Sequence, residues 1–502
     1  MKYKAAAEAK TEPKSLSRRG FLTASAAAAA GLTLWRTSAR SYAQVVGANS
    51  AVRLVVVGCN DMGRSQINQF RVLDGVRIIG LCDVDTAVLD RDMTMLTSAG
   101  ASTEGIARYA DVRKVLDNHD VDIVSIATPN HWHALMTVWA CQAGKDVYVE
   151  KPICHNIWEG RQAVAASRKY NRIVQAGTQW RSMPTVYQTF EWVKAGNLGK
   201  IKVSRGFCNK RRISLGQTNN PPPVPATVDY DLWCGPAPLD PPHRKQFHYD
   251  WHWFWPTGNG DIGNQGAHQM DLARWVLGKS TVAPTVISVG GRLGYVDDGQ
   301  TPNTLMAVHD YGDAMIIFEV RGLPTKTDSK QMDAYKGAAI GNIVECEGGY
   351  AMVTERLCAA YDKDGKEIRR FDGSGVQRDT GHPANFLRAV HSRKREEQNG
   401  ELVEGHVSSC LSHLSNISYL VGKQADPDAI KAALGSQPAV VDTFNRFQAH
   451  LAANDIKLDV DRATLGMPLK VDVETQTPVD NEAANALATR AYRAPYVVPE
   501  VV

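Results

Sequence analysis

A turn with a glycine at each end lies between a run of apolar residues and a segment with helical spacing. Its sequence is Gly58-Cys59-Asn60-Asp61-Met62-Gly63. Gly58 allows a tight turn out of a strand, and Gly63 allows the next helix to pack closely against that strand. Such a turn directs backbone N–H groups and the positive end of the helix towards a pyrophosphate. Residues 58–63 are therefore predicted to bind the pyrophosphate of a dinucleotide.

Two further residues bear on this prediction. Asn60 stands where the G-x-G-x-x-G fingerprint has its middle glycine, and Asn is the residue after glycine that best tolerates a left-handed backbone. Asp83 lies twenty residues beyond Gly63, after a second apolar run. A carboxylate there accepts a hydrogen bond from the ribose 2′-OH and repels a 2′-phosphate. The predicted cofactor is therefore NAD, with NADP less favoured.

His268 is the candidate general acid/base. It lies near the start of a segment with helical spacing, Gly266 to Leu277. Asp271 follows one helical turn later on the same face, where its carboxylate could orient the imidazole. A positioned base of this kind contributes a factor of ~10² to 10⁴ in rate. A lone histidine at such a position is more often structural, and it is the motif around His268, described next, that favours proton transfer with Asp271 as its partner.

Four motifs occur in a fixed order over about two hundred residues. They are the glycine turn, Thr128-Pro129-Asn130 with His133, Glu150-Lys151-Pro152, and Gly266-Ala267-His268 with Asp271. In this combination the chain resembles the glucose-fructose oxidoreductase / inositol dehydrogenase family, also called Gfo/Idh/MocA.

The resemblance implies roles for the two middle motifs. Lys151 would point into the cleft between two domains, near the nicotinamide and the substrate hydroxyl. An ammonium there would stabilise the alkoxide that forms as a secondary alcohol is oxidised. A cis peptide bond before Pro152 is compatible with this motif. The cofactor would also be contacted by Thr128, Pro129, Asn130, His133 and Glu150.

Asn264 is a departure from the family pattern. Dehydrogenases of this family commonly have an aspartate four residues before the histidine, and Asn cannot carry a proton. We therefore expect Asn264 to contact substrate without relaying protons. Asp261 or a histidine from another element could replace the aspartate. His406 and His413 are seven residues apart on one helical face, although core packing is their favoured role.

Three other residues are candidates for substrate binding. Trp255 ends the sequence Trp251-His252-Trp253-Phe254-Trp255, whose aromatic rings could stack on a sugar or fill a core. Gln179 and Arg181 could form hydrogen bonds with substrate hydroxyls. No metal site is predicted, because the spacing of His, Cys, Asp and Glu matches none.

Strand and helix signals alternate in the first half of the chain and would position these residues. Apolar runs at 52–57, 76–82, 121–127, 146–149 and 173–176 predict buried parallel strands. Helical spacing at 64–73, 111–118, 131–143 and 156–170 separates most of them. We predict an α/β protein that begins with a doubly wound parallel Rossmann sheet, whose ligand lies beyond the carboxyl ends of the strands.

The second half of the chain has a different pattern of apolar and polar residues. Alternating segments at 305–309 with 314–320, and at 342–346 with 350–353, predict β-hairpins. They indicate a C-terminal α/β domain with a mainly antiparallel open sheet. In relatives the open face is often a dimer surface, so a homo-oligomer (dimer or tetramer) is expected. The predicted domains are 50–177 for NAD binding, 178–470 for substrate binding and oligomerisation, and 471–502 as a C-terminal extension.

The first 43 residues have the order of an export signal. A lysine-containing region leads to Ser17-Arg18-Arg19-Gly20-Phe21-Leu22, then to an alanine-rich run and Ser41-Tyr42-Ala43. Paired arginines followed by Phe-Leu match the twin-arginine signal, which carries folded proteins across the membrane. We expect cleavage after Ala43 and a periplasmic or otherwise exported protein, with the twin-arginine export machinery as a partner. A retained anchor is less favoured, because the apolar run is about half the ~20 residues of a spanning helix.

The charge balance excludes one class of partner. Residues 1–43 hold eight Lys/Arg and two Asp/Glu, and without them the net charge changes from +4 to −2. No nucleic-acid partner is therefore indicated. The nine cysteines include no C-x-x-C pair, so they predict no disulfide framework.

The leading hypothesis is an exported NAD-dependent oxidoreductase acting on CH–OH groups of a sugar, polyol or sugar derivative. Export removes the chain from the cytoplasmic pool of NAD, so the cofactor should be tightly bound and recycled on the protein. Two alternatives stay open. One is a glycoside hydrolase that uses NAD transiently through oxidation, elimination, hydration and reduction. The other is a sugar-binding protein without catalysis.

Overall fold

The computed structural model describes residues 51–376 and 381–502. Residues 52–502 form one compact unit. The predicted export signal, residues 1–43, lies outside the described residues. None of the helices in the two described ranges is long and apolar enough to cross a membrane.

Six parallel strands of the described chain form the first sheet, in the order β3-β2-β1-β4-β5-β6. They are β1 (Val52–Val57), β2 (Val76–Cys82), β3 (Ala107–Tyr109), β4 (Ile123–Ile126), β5 (Asp146–Val149) and β6 (Val174–Ala176). The helices between and after them are Met62–Phe70, Thr86–Ser98, Val112–Leu116, Asn130–Gln142 and Ile157–Lys169. This order is the doubly wound Rossmann arrangement, which confirms the predicted fold of the first half.

One helix and one strand of the Rossmann half were not predicted from the sequence. The helix Thr86–Ser98 begins where the Asp85 side chain accepts a hydrogen bond from the backbone of Ala87. The strand β3 has only three residues, all partly or fully exposed, so its sequence carries no buried apolar run. β3 is placed in the fold by its parallel pairing with β2.

Twelve strands within the described ranges form the second sheet, with the path β14-β13-β12-β11-β7-β10-β9-β8-β16-β15 and with β17 beside β8 and β18. They are β7 (Ile201–Asn209), β8 (Thr285–Gly291), β9 (Thr304–Asp310), β10 (Met315–Arg321), β11 (Ile340–Cys346), β12 (Gly349–Val353), β13 (Cys358–Asp362), β14 (Glu367–Arg370), β15 (Lys423–Gln424), β16 (Thr464–Leu465), β17 (Leu469–Asp472) and β18 (Thr477–Val479). The pairs are antiparallel except for β7 with β10. Both predicted hairpins, β9–β10 and β11–β12, are present.

Helices cover parts of both faces of the second sheet. The helices of this half are Pro184–Lys194, Tyr230–Cys234, Gly260–Gly263, Gly266–Val276, His382–Ser392, Leu402–Leu420, Pro427–Leu434, Pro438–Ala452 and Glu482–Ala486. Alternate residues of β10 separate the faces: Ile316 and Phe318 pack with Leu414 of Leu402–Leu420. Ile317 packs instead with Phe444 and Phe447 of Pro438–Ala452. The predicted open face is therefore covered in part by a helix of the same chain, because these apolar strand residues are buried by it.

The C-terminal segment returns to the first sheet. Tyr496 and Val498 join the hydrophobic core of the Rossmann half. The Arg493 guanidinium donates to the Asp231 carboxylate at 2.5 Å, and Arg490 donates to the carbonyl of Pro256 at 2.7 Å. The last residues thus connect the Rossmann half with the loops that follow β7.

Candidate active site

A cavity of about 430 Å³ lies at the carboxyl ends of the first-sheet strands. The Rossmann half lines it with Gly58, Asn60, Asp61, Met62, Asp83, Thr128, Pro129, Asn130, His133, Glu150 and Lys151. The second half contributes Lys210, Tyr249, His252, Asn264 and His268, among others. The fold thus brings into one cavity every predicted cofactor residue except Gly63, the last residue of the turn.

The glycine turn has no room for side chains at its two ends. Gly58 has φ +78°, and a Cβ added there would lie 2.7 Å from the backbone nitrogen of Thr128. A Cβ on Gly63 would lie 1.8 Å from the carbonyl oxygen of Gly58. The helix therefore starts directly against the strand end, which is the close approach that a dinucleotide pyrophosphate requires. The residues present fit a dinucleotide cofactor.

Besides Gly58, the residue of the turn with a positive φ is Asp61, at 37°, and not Asn60 as predicted. Asn60 has a different role, because its side-chain oxygen accepts a hydrogen bond from Arg91 at 2.8 Å. Arg91 also pairs with the buried Asp92 at 2.8 Å. Asn60 is thus held to the helix Thr86–Ser98, a long-range contact that the local sequence does not reveal.

Asp83 follows β2 and borders the cavity, as predicted. Its carboxylate accepts hydrogen bonds from the backbone nitrogens of Cys59 at 2.7 Å and Asp85 at 2.9 Å. Burial raises the pKa of this carboxyl. The two backbone donors hold the side chain at the end of the glycine turn, where a ribose hydroxyl can donate to it.

Lys151 lies at the boundary between the two halves, and its amine contacts a residue of the second half. The peptide bond to Pro152 is cis. The Lys151 amine donates to the backbone carbonyl of Asn264, with 3.3 Å between the atoms. Desolvation lowers the pKa of this amine, and the neighbouring Glu150 opposes the shift. An amine from the Rossmann half is thus presented to the region where Asn264 and His268 line the cavity.

Glu150 is held by two amides. Gln66 and Gln179 donate to its carboxylate at 3.0 and 2.9 Å, and burial raises its pKa. Gln179 is not among the residues that line the cavity. It was predicted to bind substrate, but in the structure its side-chain amide donates to Glu150 and orients that carboxylate.

His268 lies in the first turn of the helix Gly266–Val276 and lines the cavity. Its Nδ1 atom is buried and has no hydrogen-bond partner among the described residues. Burial first, and then the charge of Lys151, lower the pKa of His268 to about 3. The imidazole is therefore neutral at pH 7, so it can accept a proton, and one ring nitrogen has its hydrogen-bonding capacity unused.

Asp271 does not orient His268, which corrects the prediction. Its carboxylate accepts two hydrogen bonds from Arg181, at 2.7 and 2.9 Å, and one from Ser408 at 2.7 Å. Arg181 belongs to the short 3-10 helix Gln179–Ser182 and Ser408 to the helix Leu402–Leu420, and neither donor lines the cavity. Helical spacing places residues 268 and 271 near each other but leaves open which neighbour each side chain meets. Arg181, a predicted substrate residue, is likewise buried in this ion pair and does not line the cavity.

We expect Asp271→Asn to destabilise the protein by about 3–5 kcal/mol, because it leaves Arg181 and Arg274 buried with less counter-charge. Urea unfolding measures this loss. Asp313→Asn, which removes a carboxylate from an exposed pair with Lys279, is the matched control and should unfold like the parent. A folded Asp271→Asn protein of parental stability but low kcat would instead restore the orienting role.

Four other predicted candidates are engaged elsewhere. Trp255 is absent from the cavity lining and lies near the ring of Tyr419. Asp261 is paired with Arg212 at 2.7 Å. His406 and His413 are buried beside cysteines in the helix core, as their favoured role predicted. The partners of Trp255, Asp261 and His413 come from distant segments, so sequence spacing did not reveal them. Cys410, in contrast, lies four residues from His406 on the same helix.

Lys210, Tyr249 and His252 are among the cavity residues that were not predicted. Lys210 directly follows β7, so its position at a strand end was a usable signal. The aromatic sequence around Trp251 was noticed, but Trp251 and His252 rather than Trp255 face the cavity. His252 stacks on Trp251 with 3.7 Å between ring centroids, which fixes the imidazole at the wall.

Residues 211–258, the cap segment, contact the Rossmann half beside Asp83. Thr86 donates its backbone N–H to Thr227 at 3.0 Å. His248 and the Asp85 carboxylate are 2.8 Å apart. Trp233 and His248 from this segment also line the cavity. The cap segment therefore covers the end of the cavity where the adenosine of a dinucleotide would lie.

The cysteines and potential metal ligands add no further centre to this site. All nine cysteines lie in the described ranges, and each is unpaired. Across residues 51–376 and 381–502, no group of three or more His, Cys, Asp or Glu is arranged to hold a metal ion.

Two family profiles match the chain. Residues 52–178 match "Oxidoreductase family, NAD-binding Rossmann fold" of GFO_IDH_MocA. Residues 187–339 match "Oxidoreductase family, C-terminal alpha/beta domain" of the same family. Together the matched residues make up more than half of the chain.

Curated relatives match over part of their length. A glycosyl hydrolase family 109 protein of Shewanella baltica is 31% identical over 169 residues, which is 30% of this chain and 37% of that protein. A levoglucosan dehydrogenase of Pseudarthrobacter phenanthrenivorans is 27% identical over 221 residues, 42% of this chain and 49% of that protein. The chain thus spans less than half the length of each of these two relatives.

A solved structure shares the fold over most of the chain. The WlbA dehydrogenase from Bordetella pertussis, in complex with NADH and UDP-GlcNAcA, has a TM-score of 0.52 and 18% identity. The likeness covers 72% of this chain and 93% of that one. At 18% identity, this likeness shows a shared fold only.

Proposed function

The chain belongs to the Gfo/Idh/MocA family of NAD-binding oxidoreductases, and on this basis we propose that it transfers hydride between NAD and a CH–OH group of a sugar, polyol or sugar derivative. The observation that carries the proposal is the convergence of Lys151 and His268 on one cavity from opposite halves of the fold. The same cavity contains the glycine turn and Asp83, which fit the cofactor.

The side chains of Lys151 and His268 suit the two requirements of alcohol oxidation. Negative charge that develops on the substrate oxygen must be stabilised, and the hydroxyl proton must be accepted. When bound, NAD supplies the hydride acceptor. The Lys151 ammonium stabilises negative charge that develops on the substrate oxygen. The neutral imidazole of His268 accepts the hydroxyl proton, since its low pKa leaves it unprotonated at pH 7. Asn264 holds the Lys151 amine through its carbonyl and takes no proton.

Tight retention of the cofactor is part of this proposal. The cap segment is held to the Rossmann half by contacts with Asp85 and Thr86, and it would cover the adenosine end of bound NAD. Such a cover slows dissociation, because the cap must open before the cofactor can leave. We further propose export by the twin-arginine pathway, on the basis of Arg18 and Arg19, and recycling of NAD by a second carbonyl substrate. A homo-oligomer remains part of the proposal.

A second candidate function is NAD-dependent glycoside hydrolysis. It is supported by the relatives named glycosyl hydrolase family 109 proteins, which match at up to 31% identity. Asn264 is compatible with this function, because oxidation and the later reduction restore the cofactor and need no net proton relay. The same Lys151 and His268 would serve both reactions.

The decisive experiment begins with the mature protein purified without added cofactor. Mass spectrometry of the released small molecules should identify NAD at close to one per chain. The holoenzyme is then offered sugars and glycosides with and without a carbonyl acceptor. Sugar oxidation that requires the acceptor supports the oxidoreductase, whereas release of free sugar from a glycoside without acceptor supports the hydrolase. Absence of both NAD and turnover would favour a binding protein.

A further inference from the structure

The part of the cavity next to Lys151 has an excess of positive charge. Lys151 and Lys210 both line it, and Glu150 is the acidic residue beside them. The Glu150 carboxylate is already occupied by Gln66 and Gln179. The remaining acidic lining residues belong to the Rossmann half: Asp61, Asp83 and Asp111.

The nearby carboxylate of the second half does not offset this charge. Asp261 is 1% exposed and accepts two hydrogen bonds from Arg212, one of them at 2.7 Å. Its charge is thus already neutralised. Lys210 forms no ion pair with any residue in the described ranges. One ammonium therefore lines the cavity without a counter-ion from this part of the chain.

The positive charge of the lysines also affects the pKa values of two histidines that line the cavity. Burial first, and then the charge of Lys151, lower the pKa of His252 and His268 to about 3, and Lys210 makes a smaller contribution to both. Lys210 also lowers the pKa of Lys151. Neutral imidazoles add no charge at pH 7, so the excess comes from the lysines.

The positive region continues outwards from the cavity. Tyr249 lines both the cavity and a second groove of about 600 Å³. Arg211 and Lys245 line this groove, are exposed, and form no ion pair within the described residues. Asp250 is the acidic residue of this groove, so basic residues outnumber acidic ones in its lining, and such a groove attracts anions.

We propose that the substrate carries a carboxylate that pairs with Lys210, so that the substrate class is an acidic carbohydrate such as a uronate or a glycoside of one. A single unpaired ammonium matches the single charge of a carboxylate, whereas a phosphate monoester brings about −1.5 to −2 at pH 7. The groove with Arg211 and Lys245 guides the anion inwards. This inference rests on the proposed function, since it names the substrate class of the same cavity.

The experiment compares matched acidic and neutral substrates on the holoenzyme. Glucuronate with glucose, and galacturonate with galactose, are tested as free sugars and as methyl glycosides. The variants are Lys210→Met and, as the matched control, Lys202→Met, which removes an exposed lysine near the other end of β7. We measure kcat/KM, and equilibrium binding by quenching of tryptophan fluorescence.

The parent should prefer the acidic member of each pair. Lys210→Met should lower the acidic-to-neutral ratio of kcat/KM by about 10- to 100-fold, the range expected for a lost charge-assisted hydrogen bond. Lys210→Arg should recover part of this ratio, and Lys202→Met should keep the parental ratio.

The remaining outcomes separate the two proposals. Turnover of neutral sugars without preference for uronates, or a ratio unaffected by Lys210→Met, overturns the carboxylate site and leaves the proposed function standing. Uronate binding that depends on Lys210, without redox change or glycoside cleavage, keeps the site and overturns the proposed function. Binding of neither member of either pair overturns the carboxylate site.

Discussion

Lys151→Met is expected to lower kcat/KM by about 10²- to 10³-fold, while the purified protein retains its cofactor. The amine faces the substrate region and is held by the carbonyl of Asn264, so methionine removes the charge without removing the bulk of the side chain. The residues that would hold the cofactor, in the glycine turn and at Asp83, are unchanged in this variant. Steady-state rates and the amount of NAD released on denaturation measure the two effects separately.

The control for this variant is Lys363→Met, which removes an exposed lysine in the turn before β14. It should keep the parental rate and cofactor content. If Lys151→Met also turns over at the parental rate, the amine has no part in the chemistry. If it loses NAD, the side chain serves the cofactor and not the reacting oxygen.

The pH profile gives an independent test of the same amine. Desolvation lowers the pKa of Lys151 from its ordinary 10.5. Because the charged form stabilises the alkoxide, kcat should fall as pH rises through this pKa, so the alkaline limb begins below 10.5. The residual activity of Lys151→Met should lack that limb.

His268→Gln is expected to lower kcat by ~10²- to 10⁴-fold, because glutamine cannot accept the hydroxyl proton. The side chain borders the cavity with its Nδ1 unpartnered among the described residues, so little of the fold depends on its hydrogen bonds. Substrate affinity should change much less than kcat. Single-turnover measurement of the nicotinamide signal separates the chemical step from product release.

A second variant distinguishes lost chemistry from lost structure. His268→Gly should regain rate when imidazole is added, since the small molecule can occupy the space of the missing ring. His391→Gln, at an exposed position near the end of the helix His382–Ser392, is the matched control. Rescue that fails while the variant stays folded and binds substrate would argue against proton transfer at this residue.

The strands of the first sheet were predictable because their signal is local. Parallel strands buried on both faces are continuous apolar runs, and β1, β2 and β5 occur with the predicted bounds. The glycine turn was predictable for a similar reason, since a tight turn and close packing demand glycine at Gly58 and Gly63. The turn also contains Asp61, whose left-handed backbone the fingerprint does not specify.

The partners of charged side chains were not predictable in the same way. Asp271 is one turn from His268, yet its carboxylate pairs with Arg181, ninety residues earlier in the chain. Gln179 was expected at the substrate and instead donates to Glu150. In the sequence, each of these polar residues has several chemically suitable partners. Only the packing of the chain decides which of them it contacts.

The sequence by itself determined the doubly wound sheet, the cofactor turn and the two side chains, Lys151 and His268, that are proposed to carry the chemistry. The sheet and the turn depend on short-range patterns, because backbone geometry and burial constrain residues close together in the chain. Lys151 and His268 were identified through the family resemblance. Only the tertiary structure decided that Lys210 and His252 join the same cavity and that Arg181, Asp271 and Trp255 do not. Contacts between distant segments depend on how the cap segment and the second sheet pack against the first, which no local pattern specifies.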